Sequence, residues 1–422
     1  MNFVCQKSRL RGEVTIPGSK SHTIRAVAIA SLAAGTSRIE APLDSGDARS
    51  AVRAFTALGA KFHCEPGLWT VTGGEVRAPE DVVDVGNSGT TVNIAMGSAA
   101  LVRKGFTVFT GDQQIRRRPS GALLASLNDL GAWAESTRGN GCPPLVIRGR
   151  LKGGTTTIEC QSSQYLTSLL INCPLADGDT VIKVPVLEEK PYVEMTLDWL
   201  ARQGIKLDRT GLSEFRIPGQ QSYKPFARRI PADFSSATFF LCAGVLGDND
   251  VIVRGLDLDD PQGDKAVIDY LRQMGARVDI EPAGIRVRPG NLTGCEIDLN
   301  ATPDALPMMA VVACFAAGKT TFRNVAHARI KETDRIATMR LELTKLGAKV
   351  TELPDGLVIE GCTLIGTEVD GHHDHRIAMA LAVAGCSLPG TTTVRTAESA
   401  TITFPTFPDC LRQLGANIET PE

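Results

Sequence analysis

Small apolar residues dominate several stretches of helical length, and short runs rich in Thr, Val and Ile follow them. The stretches 92–101 and 377–385 are typical of helices, and each leads through a glycine into a Thr- or Val-rich run. The runs 68–74 and 144–150 combine Val or Ile with Thr or Arg and close on glycine turns, as strands do. The pattern therefore predicts a mixed α/β chain with many short strands.

Two glycine landmarks recur about every 70 residues along the chain. The first ends a helical stretch in a Leu/Met-Gly-Ala phrase or its looser Gln-Gly-Ile copy, at Gly59, Gly131, Gly204, Gly275, Gly347 and Gly415. The second separates a small-residue helix from a strand, at Gly35, Gly105, Gly178, Gly247, Gly318 and Gly390. Glycine after the last helical position favours a left-handed C-cap. The shared register predicts six compact α/β units, arranged as two domains of three units each.

The composition removes several classes of function. The 422 residues carry 45 basic and 47 acidic side chains, a balance that argues against a general nucleic-acid binder. No apolar run reaches the ~18–20 residues of a membrane span, and the first residues lack the apolar core of a signal peptide. The scattered cysteines form no CxxC pair, so we expect apolar core residues in a reducing cytoplasm. We expect no metal site at His372, His373 and His375, because further ligands are lacking nearby.

Polar and charged residues gather at predicted helix starts in both halves of the chain. Free N–H groups at a helix start attract anions, and nearby Lys or Arg adds fixed positive charge. Each motif alone also fits a capped helix or a solvated surface. Together they indicate a shared cleft that grips a polyanionic substrate pair. The motifs lie at 17–25, 86–91, 116–119, 161–165, 329–335 and 374–376.

These motifs, in combination and order, resemble those of the 5-enolpyruvylshikimate-3-phosphate synthase family from about residue 12 to residue 415. The segments that carry the resemblance are PGSKS with a following Arg, GNSGTT, RRRP, SSQYLTSLL, KPYVEMTL, KETDR and DHRIAMALAV. The resemblance implies an inside-out α/β barrel of two domains, each made of three βαβαββ units around a pseudo-threefold axis. It also implies domains at 17–225 and at 1–16 plus 226–422, with the active-site cleft between them.

The resemblance further implies a reaction. Such enzymes transfer the carboxyvinyl group of phosphoenolpyruvate to the 5-hydroxyl of shikimate 3-phosphate and release phosphate, a step of aromatic amino-acid biosynthesis. They require no metal and no organic cofactor. We expect a monomer that opens without ligand and closes on both substrates. The reaction needs an acid, a base and cations around phosphate.

Site residues follow from the same resemblance, position by position. Asp304 matches the base for the substrate hydroxyl, Glu332 matches the group that acts on the enol carbon, and Lys20 and His375 complete the catalytic set. Arg118, Arg335 and Arg376 match the arginines that bind phosphoenolpyruvate. The remaining substrate-binding positions are Ser21, Arg25, Asn87, Gly89, Ser162, Ser163, Gln164, Asp233 and Lys331.

Three positions depart from the family pattern. Asn93 replaces an Arg after the GNSGTT turn, Glu189 replaces a phosphate-binding Ser before KPY, and Ile402 replaces a Lys found in many members. A carboxylate close to a dianionic phosphate is unfavourable. Either Glu189 turns away and Lys190 compensates, or the acceptor lacks the phosphate. The alternative function is therefore a paralogue that acts on an unphosphorylated cyclohexene or aromatic acid by carboxyvinyl transfer or elimination.

Two further functions are disfavoured. The related UDP-N-acetylglucosamine enolpyruvyl transferases carry a reactive Cys in the loop that matches 111–119, where this chain has none. A non-catalytic repeat protein would have no need of Lys20, Asp304, Glu332, Arg335 and Arg376 together. Dependence of turnover on the 3-phosphate of the acceptor separates the main hypothesis from the paralogue.

Overall fold

The structure is a computed structural model and describes residues 1–421. These residues divide into two compact units. The central unit runs from Gly18 to Ile230, and the terminal unit combines Met1–Pro17 with the chain from Pro231 onward. None of the helices within residues 1–421 is both long and apolar enough to cross a membrane.

Helices and strands alternate through both units. The α-helices of residues 1–421 are α1 (Lys20–Leu32), α2 (Gly46–Ala57), α3 (Gly89–Ala99), α4 (Gly121–Asp129), α5 (Ser163–Asn172), α6 (Lys190–Arg202), α7 (Phe234–Gly244), α8 (Val267–Gln273), α9 (Leu306–Cys314), α10 (Arg335–Lys345), α11 (His375–Gly385) and α12 (Phe407–Gln413). Short 3-10 helices lie at Ile115–Arg117, Cys173–Leu175, Gly263–Ala266, Pro303–Ala305, Ala326–Ile330 and Ala397–Ile402.

The strands are short, as the sequence predicts. In the central unit they are β3 (Gly35–Glu40), β4 (Lys61–Glu65), β5 (Leu68–Gly73), β6 (Val83–Asp84), β7 (Phe106–Thr110), β8 (Trp133–Ser136), β9 (Leu145–Arg148), β10 (Gly154–Cys160), β11 (Thr180–Leu187), β12 (Asp208–Thr210), β13 (Glu214–Ile217) and β14 (Ala227–Arg229). In the terminal unit they are β1 (Phe3–Gln6), β2 (Arg11–Thr15), β15 (Asp250–Arg254), β16 (Arg277–Glu281), β17 (Gly284–Arg288), β18 (Glu296–Asp298), β19 (Lys319–Arg323), β20 (Lys349–Leu353), β21 (Gly356–Glu360), β22 (Glu368–Asp370), β23 (Thr391–Arg395) and β24 (Asn417–Glu419).

The strands of residues 1–421 form six four-stranded sheets, three in each unit. Every sheet has the same plan: an outer strand pairs in parallel with its neighbour, and the next two pairings are antiparallel. The central sheets have the orders β14-β3-β5-β4, β6-β7-β9-β8 and β10-β11-β13-β12. The terminal sheets have the orders β2-β15-β17-β16, β18-β19-β21-β20 and β22-β23-β1-β24. The predicted six-fold repeat is therefore confirmed.

Three helices in each unit lie inside the sheets. Helices α3, α7, α9 and α11 are buried at every position, and α1 and α5 are buried at nearly every position. A helix with small apolar residues on all sides belongs in a core. The six other helices are exposed on one side. Each is followed, two residues after its end, by a glycine with positive φ, and these are the six glycines of the first repeated landmark. Helices within and sheets outside give each unit its inside-out layout.

The boundary between the units differs slightly from the expected one. Strand β14 pairs in parallel with β3, so that Ala227 lies opposite Arg38 and Arg229 opposite Glu40. This pairing places β14 in the central unit, whereas the sequence assignment began the second domain at residue 226. The structure therefore divides the chain after Ile230.

Candidate active site

A buried arginine organises the charged residues of the terminal unit. Arg335 is the first residue of α10, and its side chain is 1% exposed. Its guanidinium bonds three carboxylates: Asp374 at 2.8 and 3.1 Å, Asp304 at 2.7 Å and Glu332 at 2.6 Å. Burial alone would lower the pKa of Arg335, but these three charges raise it well above its ordinary value. The network therefore holds a permanent positive charge among three acids.

Asp304 joins this network to a second buried arginine. It lies in the 3-10 turn Pro303–Ala305, just before α9. One oxygen of Asp304 bonds Arg335, and the other lies 3.3 Å from Nη2 of Arg376. Arg376 also donates to the carbonyl of Ser235 at 3.0 Å and lies over the ring of Phe239. Burial would lower the pKa of Arg376, yet neighbouring carboxylates, Asp304 first among them, raise it.

The three carboxylates differ in their access to solvent. The side chain of Asp304 is 18% exposed and that of Glu332 is 10% exposed, whereas that of Asp374 is fully buried. Asp374 caps α11 by accepting from the N–H of Arg376, and it also accepts from the hydroxyl of Thr333. The carboxylates of Asp304 and Glu332 are therefore accessible to a substrate, whereas that of Asp374 stabilises the local structure. Asp374 lies in the predicted motif 374–376 but was not among the predicted site residues, although an Asp directly before a helix is a cap signal.

The other predicted residues of the terminal unit lie near this network in sequence or in space. His375 is the buried first residue of α11, and Lys331 is partly exposed after the turn Ala326–Ile330. Asp233 caps α7, where it accepts from the N–H and hydroxyl of Ser236 at 3.0 and 2.6 Å. Its charge helps to raise the pKa of Arg376. Asp233 therefore contributes a cap and a negative charge next to the arginines.

In the central unit, Lys20 begins α1 and has an acidic partner that the sequence analysis missed. Its Nζ lies 3.2 Å from Oδ2 of Asp47, and both side chains are largely buried. Asp47 lies in the first turn of α2, just after the capping residue Ser45. The nearby Ser21 is partly exposed at the start of α1, and its carbonyl accepts from Arg25 at 3.0 Å.

Arg25 is buried among neutral oxygens. Its guanidinium donates to the hydroxyls of Thr196 and Thr167 at 2.9 and 3.2 Å and to the carbonyl of Tyr192 at 2.9 Å. Burial lowers the pKa of Arg25 to about 10, against an opposing influence of Tyr192 and Glu189. This cation is thus held by polar groups that do not cancel its charge.

A hydrogen-bonded network joins the start of α3 to the start of α5. Asn93 donates to the carbonyl of Gly89 and to the side chain of Gln164, each at 2.9 Å, and accepts from Ser120 at 3.2 Å. Arg118 lies directly against Gly89, where an added Cβ would be 2.7 Å from its Nη1.

The departure at Asn93 thus has a structural role, because its amide links the two helix starts. Asn87, in the turn before α3, donates to Asp112 and Gln114 and accepts from Arg118 at 3.5 Å. Gln164 donates in turn to Thr90 at 3.2 Å. Four predicted positions therefore lie together here: Asn87, Gly89, Arg118 and Gln164.

The carboxylate of Glu189, the residue before α6, lies at the start of α5, where the substrate is expected to bind. Ser162 caps this helix, and Ser163 is its first residue. The Glu189 carboxylate accepts from the N–H of Ser163 at 3.1 Å and from its hydroxyl at 2.8 Å. The third departure, Ile402, ends the turn Ala397–Ile402 of the terminal unit and is partly buried.

Two histidines of the 372–375 cluster lie next to glutamate side chains. His372 lies 2.7 Å from Glu342, and His373 lies 3.6 Å from Glu398. Among residues 1–421, no group of three or more His, Cys, Asp or Glu side chains is placed to hold a metal ion. The polar groups of both units instead offer guanidinium, ammonium, hydroxyl and backbone N–H donors, which are the usual partners of phosphate and carboxylate.

Six repeated α/β units with buried arginines and polar helix starts suit a protein that binds anionic substrates, and comparison with known proteins gives its family. A family model for EPSP synthase (3-phosphoshikimate 1-carboxyvinyltransferase) matches residues 4–411. The 3-phosphoshikimate 1-carboxyvinyltransferase of Acetivibrio thermocellus is 51% identical over 419 residues, which cover 99% of each chain. The corresponding protein of Ruminiclostridium cellulolyticum is 49% identical over 416 residues, or 98% of each chain.

A solved structure agrees with these matches. EPSP synthase from Acinetobacter baumannii superposes with a TM-score of 0.84 at 28% identity, over the whole length of both chains. The chain belongs to the EPSP synthase family. The predicted family, the inside-out barrel and the assignment as a carboxyvinyl-transferring enzyme of aromatic amino-acid biosynthesis are confirmed.

Proposed function

We propose that this enzyme transfers the carboxyvinyl group of phosphoenolpyruvate to the 5-hydroxyl of shikimate 3-phosphate through the residues described above. The arrangement of Asp304 carries the proposal. It is a partly exposed carboxylate held by two buried guanidiniums, those of Arg335 and Arg376. Two fixed positive neighbours favour the ionised carboxylate, which is the form that a general base needs.

The chemistry requires two proton transfers at carbon and two at oxygen, since the proton that Asp304 takes from the hydroxyl later passes to the departing phosphate. Asp304 takes the proton of the acceptor hydroxyl, and the oxygen attacks the enol carbon of phosphoenolpyruvate. When the phosphoenolpyruvate anion binds Arg335, it weakens the bond of Arg335 to Glu332, which takes up a proton. Glu332 then gives this proton to the methylene group, which becomes a methyl group in a tetrahedral intermediate. When the phosphate leaves, Glu332 takes a proton back from the methyl group, and the hydroxyl proton departs with the phosphate. Each residue thus returns to its starting state.

Cations stabilise the charge that develops on the phosphate. Arg335 and Arg376 supply two guanidiniums in the terminal unit, and Arg118 supplies one in the central unit. Lys20, whose ammonium is paired with Asp47, adds a charge that can follow the leaving phosphate. The two remaining residues of the proposed site are His375, at the start of α11, and Lys331; each can donate a proton or bind an anion.

The acceptor is held mainly by the central unit in this proposal. Its donors are the hydroxyls and amide of Ser162, Ser163 and Gln164 at the start of α5, together with Ser21 and Arg25 in α1. Asn87 and Gly89 shape the neighbouring turn, and Asp233 balances the charge of Arg376. We propose that both residue sets act on one substrate pair, in a cleft that closes when both substrates bind.

The first experiment measures phosphate release from phosphoenolpyruvate with shikimate 3-phosphate and with plain shikimate in parallel. We expect rapid release only with the phosphorylated acceptor. Turnover with plain shikimate alone would favour the paralogue. Small-angle scattering tests the closure: the radius of gyration should fall when both substrates are present, and an unchanged curve would contradict it.

We also propose that the active species is a monomer, because the assigned residues all come from one chain. Sedimentation at concentrations used in the assay should give a mass close to 45.0 kDa. A specific activity that rises with protein concentration would contradict this assignment.

A further inference from the structure

Glu189 has an unusual position and conformation. It precedes α6 with φ 56° and ψ 42°, in the left-handed region that few residues other than glycine adopt. Its side chain is nevertheless buried, with the residue 2% exposed. A charged residue in a strained conformation is retained where its surroundings hold it in place. Its contacts therefore show what the carboxylate does there.

The contacts of Glu189 are those of a bound anion. One oxygen, Oε2, accepts both the N–H and the hydroxyl of Ser163. The first N–H groups of a helix lack partners within the helix and carry its positive end, so they attract negative charge. A phosphate or carboxylate of a ligand would use the same two donors. Glu189 thus occupies, from within the protein, the place of an external anion.

The charge of Glu189 also acts on a nearby cation, the guanidinium of Arg25. Within residues 1–421, the guanidinium of Arg25 donates at 2.9–3.2 Å to neutral oxygens, namely two threonine hydroxyls and two backbone carbonyls. The charge of Glu189 favours the protonated form of Arg25. An uncompensated guanidinium would attract a substrate anion more strongly than one with a carboxylate close by. Glu189 therefore occupies the hydrogen-bond donors of Ser163 and reduces the electrostatic attraction of Arg25 for a ligand anion.

We infer that Glu189 is an internal competitor for the phosphate of the acceptor and sets the affinity and phosphate preference of this enzyme. The inference rests on the proposed function, in which Ser162, Ser163 and Gln164 hold the acceptor. A dianionic phosphate must displace the carboxylate from Ser163 and remain near its charge. An acceptor without the phosphate meets no such competition. Glu189 is thus a specificity-determining residue that acts on acceptor binding and leaves the bond-making steps to other groups.

Two substitutions separate the effect of the Glu189 charge from the effect of a side chain that occupies the donors of Ser163. Glu189→Gln keeps the shape and an acceptor oxygen for Ser163 but removes the charge. Glu189→Ser removes both the charge and the occupant. Glu188→Gln is the matched control, because it removes one charge at the adjacent, partly exposed position. The dissociation constants of shikimate 3-phosphate and of plain shikimate are measured for each protein by isothermal titration calorimetry.

We expect Glu189→Ser to bind shikimate 3-phosphate at least tenfold more tightly than the wild type, and Glu189→Gln to lie between them. Plain shikimate should change less than twofold in every variant, and so should the KM for phosphoenolpyruvate. Glu188→Gln should match the wild type throughout. A change in the dissociation constant of shikimate 3-phosphate alone indicates competition. A general structural effect would change the dissociation constants of both acceptors and kcat together.

Equal or weaker binding of shikimate 3-phosphate by both Glu189 variants, with normal turnover by the wild type, would overturn the inference. If Glu189→Ser fails to fold, the isosteric Glu189→Gln decides the matter by the same criterion. Failure of the proposed function has a different signature. In that case the wild type releases no phosphate with shikimate 3-phosphate, whatever the affinities of the variants.

Discussion

The two units surround their buried arginines with different kinds of groups. In the terminal unit, Arg335 bonds three carboxylates at 2.6–3.1 Å. In the central unit, Arg25 bonds hydroxyl and carbonyl oxygens, and the charge of Glu189 favours its protonated form. The net shifts are therefore opposite: burial lowers both pKa values, but the carboxylates raise the pKa of Arg335 above its ordinary value, whereas that of Arg25 falls to about 10.

The contrast suits two kinds of chemistry. A guanidinium surrounded by acids fixes the position and ionisation of those acids, as proton transfer requires. A guanidinium surrounded by neutral dipoles keeps charge available for an incoming anion, as binding requires. This contrast supports the proposal that the terminal unit mainly transfers protons and that the central unit mainly binds the acceptor. Substitutions in each unit should show these different effects.

The largest effect is expected from Arg335→Met, which removes the cation that three buried or partly buried carboxylates share. Loss of one partner from a buried ion pair costs about 3–5 kcal/mol. We expect a loss of that size in the free energy of unfolding, measured by urea denaturation, together with loss of turnover. Arg340→Met is the control on the same helix, because Arg340 is exposed and pairs with Glu352 at the surface. A difference of less than 1 kcal/mol between the two variants would contradict a central role for Arg335.

The next effect is kinetic. Asp304→Asn and Glu332→Gln remove the proposed base and acid while keeping the shape of each side chain. We expect kcat to fall about 10²–10⁴-fold in each variant, the usual contribution of a positioned acid or base. Circular dichroism should show the fold unchanged. Glu352→Gln, which removes a carboxylate of the surface pairs with Arg329 and Arg340, should keep kcat within twofold. Near-normal rates for either active-site variant would refute its assignment.

A smaller effect is expected where neutral groups hold Arg25. Thr196→Val removes the hydroxyl that accepts from Nε at 2.9 Å in a fully buried position. An unsatisfied charged donor costs about 1.5–3 kcal/mol, so stability should fall by that amount. Thr72→Val removes an exposed hydroxyl that pairs with Thr36 and should cost under about 0.5 kcal/mol. Equal effects of the two substitutions would mean that Arg25 finds other partners and that the contrast with Arg335 is weaker.

The repeat could be predicted from sequence because it rests on local backbone requirements. Gly59, Gly131 and their four counterparts all adopt positive φ after a helix, as the C-cap pattern predicts. Gly178 differs from the other second-landmark glycines, because it does not have positive φ. A Cβ at Gly178 would lie 2.9 Å from the carbonyl oxygen of Lys152. Its glycine is therefore needed for close backbone approach, which a sequence pattern cannot separate from a turn.

The candidate residues at helix starts were also accessible to sequence reasoning, but their partners were not. The carboxylates that bond Arg335 lie 3, 31 and 39 residues away. Asp47 and Glu342 lie on amphipathic helices, where an acid is usually taken as solvated, yet both are buried beside a cation. Such pairs depend on how separate helices pack. Local propensity contains no information on that packing.

The smallest predicted effect concerns His372, which precedes the α11 start that carries His375 and Arg376. The bond from His372 to the buried Glu342 raises the pKa of His372, although burial opposes this. Lys345 and Asp370 are the other charged groups close to the ring. A raised pKa in the folded state means that the protonated ring stabilises the fold below about pH 6.5, the ordinary value. This contribution is lost as the pH rises through the folded-state pKa.

His372→Gln keeps a hydrogen-bond donor but removes the titrating charge. Since the His372 side chain is about one-third exposed, solvent screens the pair, and we expect a loss of about 1 kcal/mol at pH 6. The loss should nearly vanish at pH 9, when the wild-type ring is neutral. His373→Gln is the control, because His373 is largely exposed and lies 3.6 Å from Glu398. A His372→Gln deficit that stays constant or grows between pH 6 and pH 9, measured by urea midpoints, would show that the contribution of His372 to stability does not depend on the charge of its ring.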